Sequence, residues 1–120
     1  MARTVEVTGE AVIVRLTGWS AFAALRREVP IPLRGIRRLS TDRYGSTGLR
    51  LAGTAIPWTD IRAGRFRRDG RRTFLSFDDR DRVLTLELDR SVPGAGFEVV
   101  AVGVDDPAGL APEIDAHRGA

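Results

Sequence analysis

The sequence contains no cysteine, no lysine and a single histidine among its 120 residues. Without cysteine it has no disulfide framework, no thiolate nucleophile and no zinc-thiolate site, which fits a reducing compartment. Its longest apolar stretches fall far short of the ~20 residues that span a bilayer, and its first residues lack the apolar run of a secretory signal. We therefore expect a soluble, cytoplasmic protein with no transmembrane segment.

Residues that usually carry catalysis or metal binding are also scarce. His117 is the only histidine and has no evident Ser, Asp or Glu partner. Asp78, Asp79 and Asp81 are closely spaced but lack the spacing, glycine and terminal glutamate of an EF-hand loop, so they are typical of a solvated turn. We expect no catalytic residue, no bound metal and no cofactor, and hence no enzyme.

The charge of the chain is unevenly distributed. The net charge is +3, but residues 1–72 carry +9 and residues 73–120 carry −6. A chain of this length supports a single domain, residues 1–120, and in one compact domain two halves of opposite sign pair most simply with each other. All 19 basic residues are arginine, whose planar fork of donors binds carboxylate and phosphate better than lysine does.

Short strand-like segments separated by turn residues dominate the sequence. We predict strands at residues 4–7, 12–16, 61–68, 71–77, 82–89 and 97–102, and one or two more between residues 31 and 42, with an irregularity at Arg34-Gly35. The glycine-containing stretch 44–60 is predicted to be loop-rich.

Two helices are predicted beside these strands. Ser20 is a suitable cap for a short helix between the second and third strands, and Pro30 ends it. Asp106-Pro107 opens a C-terminal helix that places Leu110 and Ile114 on one side. The pattern predicts a mainly β fold, a strongly bent antiparallel sheet or small barrel with the C-terminal helix covering an open end.

Six segments carry a resemblance to a known family: residues 12–19, 29–33, 53–57, 63–66, 84–88 and 104–107. As a set they resemble an uncharacterised actinobacterial family with a pleckstrin-homology-like (PH-like) fold, over residues 11–116. Glycine is expected after Pro57, where this chain has Trp58. The resemblance implies a bent sandwich of about seven strands capped by the C-terminal helix, and no established activity.

The resemblance does not bring a lipid site with it. Lipid-binding members of the wider PH fold hold inositol phosphates with basic residues around the loop of the first hairpin. Here that loop is residues 8–10, with Glu6 nearby and Arg15 the only base close in sequence. Fold analogy alone does not predict phosphoinositide binding.

Arginine is concentrated in one predicted hairpin. Six of the eleven residues from Arg62 to Arg72 are arginine, and they flank Asp69-Gly70, a dipeptide that favours a two-residue turn. Such a turn places four pairs of residues opposite each other on shared faces. They are Arg68 with Arg71, Arg67 with Arg72, Phe66 with Thr73, and Arg65 with Phe74. The Phe66 face, with Leu75 and Phe77, is a candidate core face, and Gly64 is a candidate bulge.

Two interpretations of these arginines stay open. If the next strand pairs in the same way, Arg67, Arg72 and Glu87 form a row of alternating charge, an ordinary ion-pair ladder. That row leaves a group of incompletely paired arginines around Phe74: Arg65, Arg67, Arg68 and Arg71. Arginine beside a semi-exposed aromatic ring suits phosphate, single-stranded nucleic acid or an acidic protein surface. The alternative for Phe74 is that another element covers it.

Trp58 is the remaining candidate contact. It either anchors its loop on the sheet or contacts a pocket or partner. We predict a non-enzymatic PH-like binding or assembly module that acts in protein–protein interaction, including self-association, through sheet edges or the Trp58 loop. The alternative is binding of anionic ligands through the arginine-rich hairpin 62–72. These ligands include an anionic lipid surface, phosphorylated molecules and, least expected, nucleic acid.

Overall fold

The computed structural model describes residues 3–16, 28–45, 48–89 and 96–118, which form nine strands, one 3-10 turn and one α-helix. A three-stranded sheet contains, in spatial order, β1 (Arg3–Val7), β2 (Ala11–Leu16) and β3 (Glu28–Pro32). A six-stranded sheet contains, in spatial order, β4 (Ile36–Ser40), β8 (Val83–Leu88), β9 (Val99–Gly103), β7 (Arg71–Phe77), β6 (Arg62–Arg68) and β5 (Leu49–Ala55). Helix α1 spans Pro107–Arg118.

The predicted opening hairpin is formed by β1 and β2. Its loop is closed by Thr8, whose hydroxyl oxygen accepts hydrogen bonds from the backbone N–H groups of Glu10 (3.3 Å) and Ala11 (3.0 Å). Every second residue of β2 is buried, as expected for a strand with one face on the core. The side chain of Arg3 joins this hairpin to the larger sheet by donating to the Ser76 hydroxyl over 2.7 Å.

The irregularity predicted at Arg34-Gly35 is a 3-10 turn, Leu33–Gly35, that connects β3 with β4. The chain therefore forms two short strands here. They belong to different sheets, since β3 pairs with β2 and β4 pairs with β8. The helix predicted between β2 and β3 lies outside the described residues.

The centre of the six-stranded sheet differs from the prediction. β9 lies between β7 and β8, and it runs parallel to β7 and antiparallel to β8. Residues 73–77 of β7 are all buried, which is the pattern of a central strand covered on both faces. The described residues therefore form nine strands where about seven were expected, one pair is parallel, and neither sheet closes into a barrel.

Each face of the six-stranded sheet carries its own core. The larger cluster lies between the two sheets and α1, and includes Val14, Phe74 and Ile114. The smaller cluster lies on the opposite face: Tyr44, Phe66, Leu75, Phe77, Val83 and Ala101. Phe74 of β7 enters the larger cluster and its neighbour Leu75 enters the smaller one, so this strand is buried on both faces.

Helix α1 begins as predicted. The Asp106 carboxylate accepts a hydrogen bond from the Gly109 N–H over 3.1 Å and so caps the helix. Ile114 is fully buried in the larger cluster, and Leu110 packs against that cluster. None of the described residues belongs to a helix long and apolar enough to cross a bilayer.

Strand β5 lies within the stretch predicted to be loop-rich, and that prediction was wrong. Gly53 and Gly64 pair across β5 and β6 with φ of 113° and 127°, so the two backbones approach closely. A Cβ atom on Gly64 would collide with the carbonyl oxygen of Ala52. The bulge predicted at Gly64 instead lies on the partner strand, between Arg50 and Ala52.

Candidate interaction site

The arginine-rich hairpin has the predicted turn and register. Asp69 and Gly70 have φ of 53° and 76°, the two positive values that a type I′ turn requires. Arg68 pairs with Arg71 across the strands, and the other predicted pairs follow. Because successive side chains alternate, the arginines divide between two faces. Arg68 and Arg71 lie on one face, and Arg65, Arg67 and Arg72 lie on the other.

The row predicted from Arg67 through Arg72 to Glu87 is wrong. β9 separates β7 from β8, so Glu87 pairs with Val99 in the sheet. Its carboxylate binds Arg71 at 3.0 Å and Arg38 at 3.5 Å instead. An ion-pair network is present, but on the face opposite to the one predicted.

Arg68 and Arg71 line a cleft of about 330 Å³ on that face. The charged residues of the cleft are three arginines and three acids: Arg43, Arg68, Arg71, Asp42, Asp69 and Glu87. Arg43 binds Asp81 at 2.6 Å, and Arg68 lies 3.8 Å from Asp69. Burial raises the pKa of Tyr44 in the wall, while a hydrogen bond with Arg68 acts in the opposite direction. The formal charges of the lining therefore cancel.

The other arginines of the hairpin have no such partners. Arg65, Arg67 and Arg72 are exposed, and their side chains make no hydrogen bond or ion pair with the described part of the chain. The same holds for Arg50 of β5. We call these four residues the unpaired arginines.

Phe74 does not take part in a surface site. The prediction of a semi-exposed ring among the arginines was wrong, because Phe74 is fully buried in the larger core cluster. Its ring lies 5.4 Å from that of Phe97, at a tilt of 49°. Covering by another element, the other alternative, is confirmed.

The outermost strand of the large sheet, β5, exposes hydrophobic side chains. Leu49 and Leu51 are 66% and 50% exposed, and Trp58 beyond the strand is fully exposed. These three are the large hydrophobic residues that the described ranges expose, and all lie between positions 49 and 58. Scattered exposed hydrophobic residues are normal, whereas several along one sheet edge mark a contact surface.

Trp58 lies in a tight turn between β5 and β6. The Thr59 N–H donates to the Ile56 carbonyl oxygen over 3.3 Å, so Pro57 and Trp58 are the central residues of the turn. Trp58 has a φ of 66°, which is where a type II turn normally has glycine. The glycine expected after Pro57 would therefore suit the observed backbone. The prediction that Trp58 anchors the loop on the sheet was wrong.

The side chain of Arg62 holds this turn in place through hydrogen bonds to its backbone. One guanidinium nitrogen, Nη1, donates to the carbonyl oxygens of Thr59 (2.8 Å), Ile61 (2.8 Å) and Ile56 (3.4 Å). Burial lowers the pKa of Arg62, and the charge of Arg80 lowers it further, but an arginine remains charged under these conditions. Arg62 thus belongs to the Trp58 turn rather than to a charged surface of the hairpin.

A second arginine, Arg80, binds Asp60 of the same loop. Arg80 donates from Nε to the Asp60 carboxylate over 3.1 Å, and its backbone N–H donates to the same carboxylate over 3.3 Å. These contacts lower the pKa of Asp60, the backbone hydrogen bond most of all. The backbone around Trp58 is therefore well fixed, although the indole itself packs on nothing described.

The remaining candidates are the three aspartates considered for metal binding and His117. Within residues 3–16, 28–45, 48–89 and 96–118 no three potential metal ligands come together. The ring of His117 contacts the carbonyl oxygen of Glu113, one turn earlier in α1. Comparison of the chain with family models, curated proteins and solved structures yields no match.

Two parts of this site differ from what the sequence predicts. Residues 49–51 lie in a predicted loop, although the alternation Leu49, Arg50, Leu51 between Gly48 and Gly53 is a short strand signal. Arg62, in turn, is predicted to be one of the hairpin charges. Nothing in the local sequence distinguishes Arg62 from its neighbours, because its role depends on the position of carbonyl groups in a folded turn.

Proposed function

We propose that this chain is a non-enzymatic binding module that holds a protein partner at the β5 edge and the Trp58 turn. The observation that carries the proposal is the full exposure of Trp58 on a turn held in an unfavourable backbone conformation. A bulky residue at positive φ costs on the order of 1–3 kcal/mol. The indole packs on no described residue and returns none of that energy to the described part of the fold, which supports a contact outside the chain.

The surroundings of Trp58 support an interaction role. Tryptophan is among the residues that contribute most to protein interfaces, since it buries a large area with few rotatable bonds. Arg62 holds the turn in one geometry before any partner arrives, which lowers the entropy lost on binding. Leu49 and Leu51 extend the apolar surface along β5, which is roughly 20 Å long at ~3.3 Å per residue.

We further propose that the chain has the PH-like fold that its sequence resembles. A mainly β chain with a C-terminal helix is compatible with such a family, and a non-catalytic role suits it. The proposed contact does not depend on that fold, because the β5 edge and the Trp58 turn are features of this chain's own side chains.

Photo-cross-linking tests the contact directly. Trp58 is replaced by benzoylphenylalanine in one version of the chain, and exposed Arg37 of β4 is replaced in a control version. Both are irradiated in cells of the source organism. We expect one saturable adduct from position 58 and none from position 37. Unlabelled wild-type chain should compete for that adduct, and the Trp58→Gly variant should not.

The mass of the adduct identifies the kind of partner that Trp58 contacts. An adduct of two copies of this chain indicates self-association, and an adduct with another polypeptide indicates a separate partner. If the Trp58→Gly variant competes as well as wild type, Trp58 is not the contact and the proposal is wrong.

The unpaired arginines favour a second candidate, binding of an anionic ligand or membrane surface. Four exposed guanidinium groups without acidic neighbours attract phosphate as well as carboxylate. Of the residues predicted to contact an anion, only Arg65 and Arg67 remain candidates. Arg68 and Arg71 have acidic partners, and Phe74 is buried. Sedimentation with neutral and acidic vesicles at two salt concentrations tests this second function, and equal binding to both vesicle types would contradict it.

A further inference from the structure

The β5 edge offers backbone groups as well as side chains. β5 is bonded to β6 on one side, and no described residue pairs with its other side between Leu49 and Gly53. The outward N–H and C=O groups of such a strand are a template on which an extended peptide can add as a further strand.

The charge beside this edge is positive and uncompensated. Arg50 lies in β5, and Arg65 and Arg67 lie in the adjacent strand β6. Arg72 lies in β7, where it is the cross-strand partner of Arg67. None of the four side chains has an ion pair or hydrogen bond among the described residues. Complementary charge selects partners and suppresses wrong ones. The edge therefore favours an acidic partner.

The same charges act against a second copy at this edge. A symmetric pairing of two β5 strands would bring Arg50 of one copy near Arg50 of the other, and would place the two arginine-bearing β6 strands about 14 Å apart. Like charges brought together across an interface are unfavourable. The arginines thus protect the edge from self-pairing and leave it open to an acidic strand.

We infer that the partner segment at the β5 edge is an extended acidic peptide in which glutamate or aspartate alternates with apolar residues; this inference rests on the proposed function. Alternate residues of an added strand point to opposite faces. One set lies on the face of Leu49, Arg65 and Arg67, where carboxylates meet guanidinium groups. The other set lies beside the smaller core cluster, on the face that Phe66 shares with its β5 partner Arg50.

The distances suit this arrangement. Neighbouring strands lie about 4.8 Å apart, so an added strand lies about 10 Å from β6. The long side chains of arginine and glutamate bridge that gap over the intervening Leu49, which is the β5 partner of Arg67. A peptide of about seven residues matches the length of β5, and the Trp58 turn lies beyond the end of that strand.

Fluorescence polarisation with labelled peptides tests the inference on the intact chain. The peptides alternate valine with glutamate, with glutamine or with lysine, and a fourth is the glutamate peptide N-methylated at every second residue. We expect the glutamate peptide to bind about tenfold more tightly than the glutamine peptide, and to weaken with salt. N-methylation should weaken binding by a similar factor, because it removes the strand hydrogen bonds.

Variants assign the effect to this edge. In the Arg65→Gln, Arg67→Gln double variant we expect the preference for glutamate over glutamine to disappear while binding of the glutamine peptide is unchanged. The matched control is Arg34→Gln, Arg37→Gln, which removes two exposed arginines away from β5 and should keep the preference.

Each contrary outcome has a distinct meaning. Equal binding of glutamate and glutamine peptides, both lost with Trp58→Gly, overturns the acidic partner and leaves the proposed function intact. Binding that ignores N-methylation and the arginine variants overturns the added strand. No binding of any peptide overturns the inference, while the cross-linking result decides the proposed function separately. Dimerisation through β5, abolished by Leu51→Arg, makes a second copy the occupant and also overturns it.

Discussion

The two outer strands of the six-stranded sheet, β4 and β5, each have one edge without a described neighbouring strand in that sheet, and they differ in length and in the side chains they expose. β4 is five residues long, has an irregularity between Ile36 and Arg38, and exposes Arg37 and Arg38. β5 is seven residues long and exposes Leu49 and Leu51. Short, irregular and charged edges resist strand addition, whereas long hydrophobic ones invite it. The comparison indicates that β4 is protected and that β5 is available.

The largest expected effect comes from disrupting the pairing of β5 with β6. Gly64→Ala places a methyl group against the Ala52 carbonyl at a φ of 127°, so the close approach of the two strands at this point is lost. We expect a loss of about 3 kcal/mol or more in the free energy of unfolding, measured by urea denaturation. Gly9→Ala is the control, because nothing lies within 4 Å of that position. A Gly64→Ala variant as stable as the control would contradict the described close approach.

A smaller loss is expected when the turn at the end of β5 is released. Arg62→Met keeps the volume but removes the donor to three carbonyl groups. We expect a loss of about 1–3 kcal/mol and faster amide exchange at Thr59. Arg65→Met removes the same charge from a side chain without partners, and its stability should stay within about 0.5 kcal/mol of wild type. Equal effects of the two changes would show that Arg62 does not hold the turn.

Replacing the exposed tryptophan should stabilise the fold. Trp58→Gly relieves the strain at a φ of 66°, and we expect a net gain of about 1 kcal/mol after the greater entropy of unfolded glycine is subtracted. Trp58→Ala keeps the strain and should leave stability close to that of wild type. Thermal unfolding of the three proteins measures the order. A loss of stability in Trp58→Gly would mean that the indole supports the fold.

The smallest effect on stability is expected when β5 is given the charges of β4. Leu49→Arg and Leu51→Arg together change exposed side chains, so the free energy of unfolding should move by no more than about 0.5 kcal/mol. The cross-link from position 58 should nevertheless be lost. Arg37→Leu, Arg38→Leu is the reverse change on β4, and a new cross-link from that edge would confirm that edge chemistry decides availability.

Much of the fold was predictable from local patterns. The β6–β7 hairpin could be assigned residue by residue because Asp69-Gly70 restricts the turn to one type, and that turn fixes the register of both strands. The cap at Asp106 and the buried Ile114 of α1 followed from equally local signals. The position of β9 did not, since local sequence does not say which edge of β7 a later strand joins.

The candidate site was only partly predictable for the same reason. Trp58 and the surplus of arginine were visible in the sequence. The burial of Phe74 depends on Phe97, and the pairing of Glu87 depends on β9, so both are set by distant parts of the chain. The sequence shows Arg62 only as one more charged residue of the hairpin. Its role in holding the Trp58 turn depends on carbonyl groups that come together when the chain folds.

The insertion of β9 between β7 and β8 bears on how the chain is made. β7 and β8 are complete before β9 is synthesised, but each lacks its neighbour until residues 99–103 leave the ribosome. Until then the sheet exists as two unconnected parts, β5-β6-β7 and β4-β8. Partly folded chains with open strands are prone to association. The final assembly step of the large sheet therefore waits for a segment translated after both β7 and β8, and the nascent chain exposes the facing edges of these two strands in the meantime.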